Sequence, residues 1–464
     1  MAPEPVAEPA LKRLRESLSG EAVTPADAGY DEARAVFNAM IDRRPAVIAQ
    51  CESAADVGAA VRFARENELE LAVRGGGHSV AGLGSSDGGL VVDLRRMHTV
   101  SVDPEARTAR IGGGATMSHL DRATQPFALA VTGGRASTTG VGGFTLGGGS
   151  GWLERKFGLA CDNLVAVDLV TADGREVRAS ADENPELFWA LHGGGGNFGV
   201  ATSITLGLHP LPAMSVAFLF FPAARGAEVL PVYRDVLVSA PDEVGGGFIY
   251  LTGPPEDFMP EHLVGKPVCL VLVTYAGTEP GLRKAAGPLL GLGHEAEVIT
   301  QLPYADLQCM IDDPPGLRNY WSAEYLSGLP DEAVDVFCAR ADSMIVPSNS
   351  QHILFPMGGA MARGDSGHPL PWRTAEWVSH PFGIWDSPAD DERGRQWAKD
   401  ARADVVPWSI GLVYLNFIGD EGEQRVVSGF GAENYRRLAA VKAQYDPDNV
   451  FRLNHNIRPA APTS

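Results

Sequence analysis

Clustered glycine constrains this chain more than any other feature of its sequence. Runs fall at Gly75–Gly77, Gly112–Gly114, Gly133–Gly134, Gly140–Gly143, Gly147–Gly151 and Gly193–Gly196. Glycine is needed where a backbone turns with positive φ or comes very close to another group. Backbone N–H groups in such turns form concavities that suit a pyrophosphate, so the runs predict several loops packed on one extended polar ligand. Glycines that merely ease tight turns are the plainer alternative. His78 ends the first run, in "RGGGHSVAG". No HxxH or HxxE partner lies near it, which speaks against a metal ligand. A general base and a covalent handle for a cofactor both stay open.

The glycines do not spell a nucleotide fingerprint of the Rossmann kind. "GGGNFG" holds a GxGxxG at Gly194, Gly196 and Gly199. Its flanks, however, read helix before and strand after, the reverse of the order that motif needs. No GxxxxGK[ST] occurs, which excludes a P-loop NTPase.

Between the runs the pattern alternates. "AVIAQ" reads as a strand. Ser53 then caps a helix carrying Ala54, Val57, Ala60, Val61 and Ala64 on one face. "LELAVRG" is a second strand. "TADGRE" marks an Asp-Gly hairpin, "ENPELFWALHGGGG" a helix ending in glycine and "FGVATSITLGLHPL" a strand. After Pro212 the texture changes to strands such as "SVAFLFFP" and "PVCLVLVTYAG", alternating with helices. A second α+β domain over 213–407 is expected. The tail "ENYRRLAAVKAQYDPDN" is an amphipathic helix broken by Pro447.

Charge and cysteine narrow the function. The net charge of −20 opposes a broad nucleic-acid surface, which needs Lys/Arg excess. The five cysteines include no CxxC pair, so free thiols in a reducing compartment are expected. No signal peptide and no membrane-length apolar run is visible. The reading is a cytoplasmic protein with a short, mobile Pro/Ala-rich leader, without nucleic-acid or membrane partners, as a monomer or homodimer.

Four motifs in order, "RGGGHSVAG", "GVGGFTLGGGSGWLERKFGLACDNL", "HGGGGNFGVATSI" and "YDPDNVFRLNHNIRP", resemble the berberine-bridge-enzyme-like FAD-linked oxidases. These belong to the vanillyl-alcohol-oxidase/p-cresol-methylhydroxylase (PCMH) superfamily. The resemblance implies an α+β, two-domain PCMH-type fold. An FAD-binding domain would comprise 1–212 and be completed by the C-terminal segment 408–464, with the 213–407 substrate domain over the flavin. It implies FAD bonded through its 8α carbon to His78. Many members add a cysteine link in a "CPTVGVGG"-like stretch. Here that stretch is "ASTTGVGG", with Ala136 at or next to the cysteine's place. A single link is therefore expected, as in singly His-linked bacterial members, including flavoenzymes of polyketide biosynthesis. Cys161 lies after the run and is expected to be a buried structural thiol.

By the same resemblance, Arg74, Gly75, Gly76, Gly77, His78, Ser79 and Gly82 would line the pyrophosphate. Gly140, Gly143, Gly147, Gly148 and Gly149 would approach FAD by backbone, while Asn197, Gly199 and Val200 would lie on its adenine and ribose side. Thr138, Thr139 and Phe144 would face the ring. Asn454 and Asn456 would close the site. The family reaction implies hydride transfer from a small, secondary-metabolite substrate to flavin N5, with O2 as acceptor and H2O2 as product. A flavin-dependent oxygenase acting on a polyketide-like substrate is the alternative. Tyr414 is the first candidate base, since the family often has a tyrosine there. "VYLNF", read as a strand, places Asn416, a further expected FAD contact, on the same face as Tyr414. Gln351 and His352 on opposite faces of "NSQHILF", and Tyr250, are further candidates.

Overall fold

The computed structural model describes residues 6–364 and 367–461; the first residues of the expected leader lie outside them. The chain builds its polar site between two N-terminal sheets and one large later sheet. The first sheet orders Glu21–Val23, Val47–Gln50, Leu90–Asp93 and Leu71–Arg74. Val47–Gln50 and Leu71–Arg74 both run parallel to Leu90–Asp93. The helix Ala54–Glu66 makes the crossover, and the Ser53 hydroxyl accepts from the Asp56 N–H as its cap. Its Val57, Ala60, Val61 and Ala64 are fully buried, the face its spacing predicts.

The second sheet is antiparallel: Val100–Asp103, Thr108–Gly112, Val200–Gly207, Leu164–Val170 and Glu176–Ser180. The expected Asp-Gly hairpin joins its last two strands, with Val170 opposite Glu176.

The third sheet is antiparallel and uses residues 214–385. Along its main path stand Ala296–Leu302, Met214–Pro222, Pro267–Tyr275, Val244–Thr252, Gln351–Pro356, Trp377–Trp385 and Arg318–Trp321. Strand alternation gives it two faces. Ala217, Leu219 and Phe221 pack with the helices Gly226–Ser239 and Asp331–Arg340. Phe218 and Phe220 point the other way, into the core shared with Val141 and Phe144 of the N-terminal part.

The C-terminal helix Ala432–Tyr445 returns the chain to the glycine turns. The Lys442 ammonium is wholly buried and donates to the Asp446 carboxylate (2.6 Å), the Asn197 carbonyl (2.7 Å) and the Phe451 carbonyl (2.9 Å). A buried charge of this kind is tolerable only when paired and hydrogen-bonded. Here it fastens the tail to the turn at Gly193–Gly196. Among the described residues no helix is long and apolar enough to cross a membrane.

Candidate active site

A cavity of about 400 Å³ lies where the glycine turns, the third sheet and the C-terminal segment meet. The turn after Leu71–Arg74 and the turn before the helix Val141–Leu146 form its floor in direct backbone contact. A Cβ on Gly76 would stand 2.3 Å from the Gly140 nitrogen, so only glycine fits there. Gly143 is different. It lines the cavity, and nothing lies within 4 Å of where its Cβ would be. A side chain at Gly143 would enter the open space.

His78 emerges from the first turn onto the cavity wall. Its ring stacks on Phe37, with centroids 4.0 Å apart, and its Nε2 is 2.8 Å from the Thr138 Oγ1. Burial lowers its pKa to about 4, so the imidazole is neutral near pH 7. Ala136 also lines the cavity. Cys161 does not: its thiol is buried, and its N–H donates to the Gly148 carbonyl (2.9 Å). Desolvation pushes that thiol far above its ordinary pKa, which makes it inert.

Most expected FAD contacts lie together on the wall: Gly75, Gly77, Ser79, Thr139, Gly147, Gly199, Asn416 and Asn454 among them. Several have other tasks. The Arg74 side chain turns inward to the Asp93 carboxylate (2.8 Å), and both are buried. Only its backbone is left for a ligand. The Asn197 amide donates to the Gly194 and His455 carbonyls, and its oxygen accepts the Ile457 N–H at 2.9 Å. It acts as a clamp between turn and tail. Gly82, Gly148, Gly149, Val200 and Asn456 stand off the wall, and Thr138 reaches the site through His78.

The candidate bases separate cleanly. In Gln351–Pro356, alternation puts Gln351, Ile353 and Phe355 on the cavity and His352 on the helix-covered face. Tyr250 pairs with His352 in register and shares that far face, packed on Phe337. The expectation that Tyr250 or His352 faces the reacting centre is corrected by this register. The expected strand at "VYLNF" is a 3₁₀ turn over Leu415–Phe417. Tyr414 and Asn416 still meet, because the turn brings the Asn416 amide to the Tyr414 hydroxyl at 2.8 Å. That hydroxyl also accepts the Gly149 N–H at 2.9 Å. Burial raises the Tyr414 pKa well above the ordinary tyrosine value, so a phenolate is disfavoured.

Sequence reasoning missed Phe37, Asp313, Trp321, His380, Phe382 and His455, all on the wall. His455 stood inside the quoted C-terminal motif, between Asn454 and Asn456, whereas the other five come from loops and strands without motif-like spacing and only the fold brings them together.

The cavity suits FAD on its own evidence. The Asn454 Oδ1 is buried without a partner, Gly143 leaves its cradle open, and successive glycine turns present backbone to one elongated space. Among the described residues no group of His, Cys, Asp and Glu is placed to hold a metal.

Comparison with known proteins gives the same cofactor. Residues 45–180 match the FAD binding domain model, and residues 413–458 match the "Berberine and berberine like" model. The chain is 32% identical to (R)-6-hydroxynicotine oxidase of Paenarthrobacter nicotinovorans, over 96% of this chain and 97% of that one. It is 30% identical to an FAD-linked oxidoreductase of Dictyostelium discoideum over 91% of each. The crystal structure of 6-hydroxy-D-nicotine oxidase from Arthrobacter nicotinovorans superposes with a TM-score of 0.84 at 30% identity, covering 98% of this chain and 100% of that one. Wild-type BBE-like 1 of Physcomitrella patens shares the fold with a TM-score of 0.86 at 22% identity, over 97% of this chain and 99% of that one. The architecture is thus the PCMH-type FAD-binding fold, and the chain is an FAD-linked oxidoreductase of the berberine-bridge-enzyme-like family.

Proposed function

We propose that this oxidoreductase is an oxidase of a small metabolite that carries its FAD on His78 as a single covalent link. One observation carries the reading: a neutral imidazole, fixed by Phe37 and Thr138, stands on the wall of the cavity that suits FAD. An unprotonated ring nitrogen is the nucleophilic form, as a covalent bond to the cofactor requires. Ala136 offers no second nucleophile, and Cys161 is buried off the wall. In this reading 1–212 and 408–464 hold the cofactor, and 213–407 supplies the roof over it.

When bound, FAD would accept a hydride from a substrate C–H and pass two electrons to O2, yielding H2O2. The protein's own share is placement. The glycine turns at Gly75–Gly77, Gly140–Gly143 and Gly193–Gly196 offer backbone N–H groups to the pyrophosphate. Tyr414 holds the Gly149 N–H and the Asn416 amide, and so fixes the turn beneath the ring site. Phe37, Trp321 and Phe382 exclude water from the substrate space. The name of one relative aligned over nearly its whole length, an oxidase of 6-hydroxynicotine, supports a small-molecule substrate.

The test is peroxide yield. One H2O2 per substrate oxidised, with O2 consumed in equal amount, is the expected result. Oxygen incorporated into the product, with little peroxide, would favour an oxygenase and overturn the oxidase reading.

A further inference from the structure

Another cavity, of about 370 Å³, lies away from the glycine turns and shares no lining residue with the first. It sits at the joint between the N-terminal part and the third sheet. Its walls are the helix Met117–Thr124, the short strand Leu129–Ala130, and two stretches of the later chain. Residues 211–214 carry the chain into the third sheet, and residues 301–305 carry it off that sheet's edge strand, Ala296–Leu302. Gln125 and Gln301 on its wall are exposed, so the cavity reaches solvent.

The lining is apolar at Leu129, Leu211, Met214 and Leu302. Among the described residues its one charged group is Asp121, which is 2% exposed. The Gln308 side chain hydrogen-bonds this carboxyl, but Oδ2 is left buried without a partner among the described residues. The polar neighbours on the wall are committed. The Thr124 hydroxyl donates to the Asp121 carbonyl at 3.2 Å, and the Tyr304 hydroxyl accepts the Gly133 N–H at 3.2 Å. A buried polar atom is normally satisfied, so the free Oδ2 calls for a donor from outside the chain. Phe127 adds an aromatic face at the rim. It is 46% exposed and stands between two wall residues, Gln125 and Ala128.

We propose that this cavity is a second binding site, for a small organic ammonium. The ammonium meets the Asp121 carboxylate, and a short apolar frame lies along Leu129, Leu211, Met214 and Leu302. The site lies outside the redox cavity and does not depend on the oxidase reading. A carboxylate sunk in an apolar wall costs free energy unless a cation meets it. Desolvation already raises the Asp121 pKa to about 7, which is the cost an ammonium would relieve. An exposed aromatic ring attracts the same cation, and the net charge of −20 steers cations towards the protein. A hard metal ion fits less well, because it takes six or more oxygen ligands, and here one carboxylate stands among leucines.

The test uses the purified yellow holoenzyme at pH 8, where the Asp121 carboxyl is mostly ionised. Two probes of one shape are compared: 4-bromobenzylamine, a cation at that pH, and 4-bromobenzyl alcohol, which is neutral. Crystals soaked with the amine are measured at the bromine absorption edge, and titration calorimetry gives both affinities in solution. The expected result is a bromine peak in this cavity, with the amine nitrogen within hydrogen-bond reach of Asp121. In D121N the amine should bind roughly tenfold more weakly or worse, as loss of a charge-assisted bond requires, while the alcohol binds as before. Ala213→Trp fills the cavity and leaves Asp121 in place, so it should remove the peak and weaken the amine as well; it decides the matter if D121N fails to fold. No peak in the wild type, a peak confined to the FAD cavity, a peak with no measurable affinity in solution (binding at crystal concentration only), or an amine affinity unchanged in the variants would overturn the proposal. Flavin content, read by absorbance on the same preparations, bears on the covalent reading alone, so the two failures are told apart.

Discussion

The His78 Nε2 and the Thr138 Oγ1 stand 2.8 Å apart, joining two glycine-rich turns that are sixty residues apart in the chain. Thr138 and the Phe37 stack together fix the imidazole plane. Replacing Thr138 with Val removes the hydrogen bond and keeps the shape. The expected outcome is normal folding with a smaller covalent fraction, seen as FAD released on acid precipitation. Complete attachment at the wild-type rate would show that the ring needs no such support.

Tyr414 should prove more important for the turn than for proton transfer. Tyr414→Phe leaves the buried Gly149 N–H and one Asn416 contact without their acceptor, at a cost of about 1–3 kcal/mol. The denaturant midpoint should fall accordingly. Turnover by the remaining folded enzyme should stay within roughly tenfold of wild type, below the roughly hundredfold to ten-thousandfold that loss of a general base costs. A drop of a thousandfold at unchanged stability would make Tyr414 the base after all.

Gly143 separates cofactor space from protein stability. Gly143→Ala sits in the helix Val141–Leu146 without strain or contact, and alanine favours a helix by about 1 kcal/mol. The flavin-free chain should melt no lower than wild type, whereas the flavin-to-protein ratio should fall. Full flavin loading in G143A would place the cofactor away from this turn.

Asp121 makes stability depend on pH. It is fully buried beside Gln308, and desolvation raises its carboxyl to about 7. Hydrogen bonding from the Gln308 side chain opposes this rise without cancelling it. In the unfolded chain Asp121 titrates near the ordinary value of about 3.9. Between those values the native state binds the extra proton, so this group's contribution is complete below about pH 4 and is lost as pH rises through about 7. D121N should flatten that part of the pH–stability curve and raise the melting temperature at pH 8 relative to wild type. An unchanged slope between pH 4 and 8 would contradict this.

Local patterns made much of the fold legible. Ser53 and the apolar spacing behind it mark a helix found as expected, and Asp173–Gly174 marks the observed hairpin. His78 was legible through its position after three glycines. The glycine runs carried two meanings that sequence cannot separate. Gly143 leaves room for a ligand, while Gly114 lets its backbone press on the Leu94 carbonyl, where a Cβ would stand 1.8 Å away. "VYLNF" misled because a five-residue alternation fits a strand and a 3₁₀ turn alike. Tyr250 misled because strand periodicity shows that neighbours oppose each other but not which face meets the site. Asp313 and His380 were illegible: only the fold places them on the cavity wall.

The covalent link is the central claim, and one measurement tests it most directly. The protein is denatured in acid, digested with trypsin, and the peptide containing His78 is weighed by mass spectrometry, alongside those containing Ala136 and Cys161. The predicted result is the mass of FAD on the His78 peptide alone, with flavin fluorescence on the denatured protein band. Free FAD with an unmodified His78 peptide, or flavin on the Cys161 peptide, would contradict it.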